Sequence, residues 1–86
     1  MTITKEDLIR ANDVYRDVCS RALELLKAEF PEYDYIGVDE INVDPEEDYV
    51  FVSYSYRKTK DLWTYQESTK TYRINKFLSL INEEEV

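Results

Sequence analysis

Nineteen carboxylates, no histidine and a single cysteine bound the chemistry open to this chain of 86 residues. Glu40, Asn42 and Asp44 occupy alternate positions, as do the first three ligands of an EF-hand calcium loop. The sharp-turn glycine of such a loop would fall at Pro45, and Ile41 and Val43 between the ligands are apolar, so no metal site is expected. Asp44 and Asp48 are spaced as an acid pair, but a polar turn supplies neither the desolvation nor the pocket that splits two carboxyl pKa values. Without histidine, a nucleophile elbow or a glycine-rich phosphate loop, and with Gly37 the lone glycine, the chain is expected to be no enzyme and to carry no cofactor. Cys19 has no second cysteine to bridge; on the apolar side of a helix it reads as a small hydrophobe of a reducing cytoplasm.

What remains is binding. Glu32, Asp34, Asp39, Glu40, Asp44, Glu46, Glu47 and Asp48 lie between Pro31 and Asp48 with no Lys or Arg among them; the flanking segments nearly balance, so this stretch accounts for the net charge of −8. A concentrated charge creates a directional field that selects basic partners. Charge also protects edge strands and keeps proteins soluble, but mixed signs spread over the surface serve that purpose equally well. Residues two apart on one strand face repeat at about 6.7 Å, near twice the phosphate spacing of a single strand, so an acidic strand has the scale of a nucleic-acid backbone. Arg57, Lys58, Lys60, Lys70, Arg73 and Lys76 are interleaved with Trp63, Tyr65 and Tyr72. That mixture suits stacking on single-stranded nucleic acid, but is more simply a turn with flanking bases, or the positive end of a dipolar molecule. With a pI near 4.4, direct binding to nucleic acid or to anionic membranes is not expected.

The elements that position these groups follow from periodicity. Thr4 and Asp7 form an N-cap signature, and Leu8, Ala11, Tyr15, Val18/Cys19, Ala22 and Leu25/Leu26 recur at helical spacing, predicting one long helix over 4–30 that Pro31 stops. Leu8, Val14, Tyr15, Val18, Leu23 and Leu26 are its candidate core. Arg10, Asp13, Arg16, Asp17, Arg21, Glu24 and Lys27 form its solvated face, with Asp17 and Arg21 paired at i,i+4. Ile36, Val38, Ile41 and Val43 alternate with one change of phase, which a bulge at Asp39–Glu40 would absorb. A polar turn, 44–48, leads to the most strongly β-prone stretch, Tyr49–Tyr56. After a turn at 57–61, a third strand is expected from Leu62, either running bulged to Ile74 or turning back at Glu67–Lys70. A short helix over 75–81 and an acidic tail close the chain. The opening residues hold no apolar run long enough for a signal peptide or a membrane span, so a cytoplasmic protein is expected.

The fold expected is thus one α+β domain over 1–86, a long N-terminal helix packed on a three- or four-stranded antiparallel sheet with a short C-terminal helix. Val50, Val52, Tyr54 and Tyr56 fall on one face of the middle strand and Tyr49 and Phe51 on the other. The first helix covers one face. Either residues 76–81 cover the second, or its aromatics, with Trp63 as neighbour, form a contact surface; eight tyrosines in so short a chain favour contact.

In length, net charge, the acidic 31–48 segment, the tyrosine-rich sheet and the lack of catalytic residues, the chain resembles the small acidic inhibitors of phages and mobile elements, among them anti-CRISPR and DNA-mimic proteins. The resemblance is to a class of whole chains and rests on no motif. It implies stoichiometric binding to a basic nucleic-acid-handling protein, such as a CRISPR effector, blocking nucleic-acid binding or assembly, in the host cytoplasm if the gene is a phage's. The partner-binding candidates are the eight acids of 31–48 with Tyr49, Phe51 and Trp63. An antitoxin-like or adaptor module that binds through the aromatic sheet face, with homodimerisation open, is the alternative.

Overall fold

A computed structural model describes residues 2–10, 14–60 and 63–82. Two helices, α1 (Lys5–Ile9) and α2 (Tyr15–Glu29), precede strands β1 (Tyr35–Asp44), β2 (Tyr49–Arg57) and β3 (Gln66–Arg73), and α3 (Ile74–Ile81) closes the fold. The strands form one antiparallel sheet in the order β1-β2-β3. The architecture is α+β, with a three-stranded sheet.

The single helix expected over 4–30 is two. Thr4 begins α1 with a complete capping box, its hydroxyl accepting the Asp7 N–H at 3.2 Å and the Asp7 carboxylate accepting the Thr4 N–H at 3.0 Å. Arg10 is already extended, at φ −85° and ψ 121°, and helix resumes only at Tyr15. Residues 11–13, between the two helices, lie outside the described ones. At the other end Phe30 donates its N–H to the Leu26 carbonyl at 2.8 Å, and Pro31 ends the run.

Val18, Ala22 and Leu26 form the buried stripe of α2, while Leu8, Val14 and Leu23 are half-buried beside the core. Tyr15, expected in the core, is instead 42% exposed: its hydroxyl accepts the Ile41 N–H at 3.2 Å and so pins the start of α2 to β1. At its other end Glu29 is ion-paired with Lys70 of β3. The helix therefore lies across the strands, from one edge of the sheet to the other.

In β1 the register shifts between Val38 and Glu40, the bulge anticipated at Asp39–Glu40, and Ile36 and Ile41 are buried, with Val38 and Val43 half-buried beside them. One extra residue restores the apolar set to a single face, which a strict period of two would otherwise divide. β3 begins at Gln66 and not at Leu62; Trp63–Tyr65 lie in no strand, and residues 61–62 are outside the described ones. Gln66–Arg73 pair residue for residue with Tyr56–Tyr49, which leaves no residues for a turn at Glu67–Lys70.

α3 does not cover the second face of the sheet. Ile74, Phe77 and Ile81 are buried in one cluster with Val18, Leu26, Val50 and Val52, and the Phe77 ring lies 5.4 Å from that of Tyr72. α3 follows Arg73 without a loop, and the apolar stripe at 74, 77 and 81 turns it onto the face that α2 already covers. Phe30 and Tyr33, between α2 and β1, complete that layer by stacking on Tyr54 at 5.8 Å and Tyr56 at 4.5 Å. Asn82 ties the two ends of the described chain together: its Oδ1 accepts the Ile3 N–H at 2.9 Å and an Arg21 guanidinium N–H at 2.9 Å, and its Nδ2 donates to the Ile3 carbonyl at 2.8 Å. Ile3, absent from the expected core, is 1% exposed.

Candidate partner-binding face

Because α2 and α3 share one side of the sheet, no helix among the described residues covers the other side. Strand alternation assigns to it Tyr35, Gly37, Glu40, Asn42 and Asp44 from β1, Tyr49, Phe51, Ser53, Ser55 and Arg57 from β2, and Glu67, Thr69, Thr71 and Arg73 from β3. The bulge adds Asp39, whose carboxylate accepts the Ser55 hydroxyl at 2.6 Å. The centre of the face is a shallow hollow of about 300 Å³ lined by Asp39, Glu40, Ser53, Glu67, Ser68 and Thr69.

Aromatic and guanidinium groups frame this hollow at both ends. At one, the Arg73 guanidinium stacks 4.4 Å from the Tyr49 ring centroid, with Phe51 beyond at 5.9 Å. At the other, Tyr35 and Tyr65 meet edge to face at 5.0 Å, with Arg57 5.5 Å from the Tyr65 ring. Gly37 belongs to that end for a steric reason: a Cβ there would sit 2.5 Å from the Tyr35 hydroxyl, so only glycine lets the ring fold back along the strand.

Of the eight acids expected to bind a partner, the structure brings Asp39, Glu40 and Asp44 onto the open face, with Glu46 and Glu47 exposed in the turn at its end. Asp34 is ion-paired with Arg57, and Asp48 lies 4.0 Å from Arg73, so both are partly neutralised within the chain. Asp44 also holds the turn, its carboxylate accepting the Glu47 N–H at 3.2 Å, and Asp48 takes φ 64°, a conformation Asp tolerates better than most residues. Glu32 is exposed in the connection ahead of β1. Asn42 stands between Glu40 and Asp44, so acids on that row recur at about 13 Å and not at the phosphate-like repeat. Trp63 is 94% exposed but follows β2, whereas Tyr49 begins it; the two are at opposite ends of the sheet, and Trp63 is not the neighbour of Tyr49 and Phe51.

Glu67 and the hydroxyls of Ser53, Ser55 and Thr69 were not singled out from the sequence. Their signal is the alternation of Glu67, Thr69, Thr71 and Arg73, legible only once the start of β3 is known. Behind the face, Tyr15 sits near Glu40. The Ile41 amide acts to lower the Tyr15 pKa, but burial, the neighbouring Cys19 and the charge of Glu40 outweigh it and leave it raised above the ordinary phenol value. The hollow thus offers carboxylates and hydroxyls, acceptors suited to ammonium, guanidinium and backbone N–H groups. No cluster suited to a metal ion occurs among the described residues, and no helix among them is long and apolar enough to cross a membrane. No family model, curated protein or solved structure matches the chain.

Proposed function

We propose that the chain is a non-enzymatic binding protein whose open sheet face engages a basic, nucleic-acid-handling protein and blocks its nucleic-acid site or its assembly. The observation that carries this reading is that α2 and α3 pack on one side, leaving Asp39, Glu40, Asp44 and Glu67 together with Tyr49 and Phe51 on the surface that no helix among the described residues covers. Aromatic side chains supply contact area with few torsions to order, and the surrounding carboxylates set orientation and encounter rate. Glu32, Asp39, Glu40, Asp44, Glu46 and Glu47 have no ion pair among the described residues, so their field is available to a partner.

The test is the variant Glu40→Gln/Glu46→Gln/Glu47→Gln/Glu67→Gln, which removes four exposed charges and no hydrogen bond that holds the fold. A basic protein captured by the wild type at low salt should be released as salt rises, since exposed charges are screened beyond about 8 Å at physiological ionic strength. The variant should keep its thermal stability and bind that protein about tenfold more weakly or worse, chiefly through slower association. Equal affinity of variant and wild type refutes the electrostatic reading. Salt-insensitive binding that Phe51→Ala abolishes would favour the adaptor reading.

A further inference from the structure

The two edges of this sheet are unequal. β1 is blunted by its bulge, by Asp39 and Glu40, and by Tyr15, whose hydroxyl occupies the Ile41 N–H. β3 has neither bulge nor proline, and its register with β2 is unbroken over eight residues.

The direction of its free hydrogen-bonding groups follows from one bond. Ile41 spends its N–H on Tyr15 and so faces away from β2; its register partner Val52 then directs its own groups to β3, where Lys70 answers. By alternation, Glu67, Thr69, Thr71 and Arg73 present their N–H and C=O groups on the side of β3 away from β2, where no strand among the described residues pairs with them. The same four side chains lie on the open face.

We propose that β3 pairs with β3 of a second copy of this chain, antiparallel, about a two-fold axis normal to the sheet at Lys70. Of the registers that match faces, this one places Glu67 opposite Arg73 of the partner subunit and Thr69 opposite Thr71 of the partner subunit. All four outward-facing residues are then paired, with a carboxylate against a guanidinium at both ends. Shifting the axis by one residue loses one of the paired positions and the charge match. The Arg73 side chain is 60% exposed and within reach of such a neighbour. The two Lys70 side chains meet at the axis on the other face, where each is already ion-paired with Glu29 of its own α2. The product is a six-stranded sheet with blunted outer edges and two acidic hollows side by side on one surface. This pairing does not depend on the identity of any basic partner.

Sedimentation equilibrium over a concentration series tests the pairing. The wild type should show a reversible monomer–dimer equilibrium. Thr69→Pro removes an N–H that faces outward, which an edge strand tolerates, and should give a monomer with the wild-type far-ultraviolet spectrum. Glu67→Arg should raise the dimer dissociation constant by about tenfold or more, and Glu67→Arg/Arg73→Glu should return it towards the wild type. If Thr69→Pro does not fold, the charge reversal and its rescue decide. A wild type that stays monomeric to about 1 mM overturns the proposal, as does a double variant that pairs no better than Glu67→Arg. A dimer broken by Phe51→Ala and not by Thr69→Pro also overturns it, by placing the contact on the open face.

Discussion

Replacing Asn82 with alanine should unfasten the N-terminal segment from the rest of the core. The side chain makes two bonds to the Ile3 backbone, at 2.9 and 2.8 Å, and accepts a third, at 2.9 Å, from the Arg21 guanidinium. Neutral bonds contribute about 0.5–1.5 kcal/mol each and one to a charged group about 1.5–3 kcal/mol, a gross range of about 2.5–6 kcal/mol. The site is half-buried, so water replaces part of this; against that, a released Ile3 gives up some of its burial, worth up to about 3 kcal/mol. A net loss of about 2–4 kcal/mol is expected, a large share of the total for a domain of this size. In thermal unfolding the midpoint should fall by about 10–25 °C. Asn82→Asp keeps both acceptor bonds but sets a carboxylate against the Ile3 carbonyl, and should fall between wild type and Asn82→Ala. Native-state exchange provides the local check, since the Ile3 amide should be protected in the wild type and exposed in Asn82→Ala. A variant within about 0.5 kcal/mol of wild type, with an unchanged denaturant slope, would refute the clasp.

Leu26→Ala and Phe77→Ala remove side chains that are 1% and 0% exposed; urea denaturation should show losses of about 2–5 and 3–5 kcal/mol respectively, and a loss below about 1 kcal/mol for either would mean that its helix is not packed on the sheet as described. Tyr72 gives a pH signature. Burial, and then the charge of Glu29, raise its pKa well above the ordinary value of 10.0. Its folded-state pKa exceeds that of the unfolded chain, so its contribution is complete below pH 10 and is lost as pH climbs towards the folded value, while the unfolded state alone sheds its proton. In alkaline melts Tyr72→Phe should decline less steeply than wild type above pH 10; parallel declines would refute the assignment.

The sequence by itself determined the local elements. The Thr4 and Asp7 capping box, the Asp17–Arg21 pair at 3.3 Å, the stop at Pro31, the bulge after Val38 and the stripe of α3 are all set by neighbours within a few residues, where side-chain type and spacing suffice. The acids of 31–48 were equally legible as a charge cluster. Only the tertiary structure decided which of them remain available, because Arg57 and Arg73, which compensate Asp34 and Asp48, arrive from β2 and β3 across the sheet. Nor could local pattern separate one helix from two, since the apolar spacing continues from Leu8 to Tyr15 although α1 ends at Ile9 and α2 begins at Tyr15. The start of β3 was hidden for a related reason: Gln66–Arg73 is polar on its open face and carries only Tyr72 as a buried residue, so pairing with β2, and not alternation, defines it. The side on which α3 packs is likewise a three-dimensional outcome. An apolar stripe at 74, 77 and 81 fits either face of a sheet whose middle strand is apolar on both; the direct join to β3 and the shared cluster with α2 place it on one, and leave the acidic, aromatic face open.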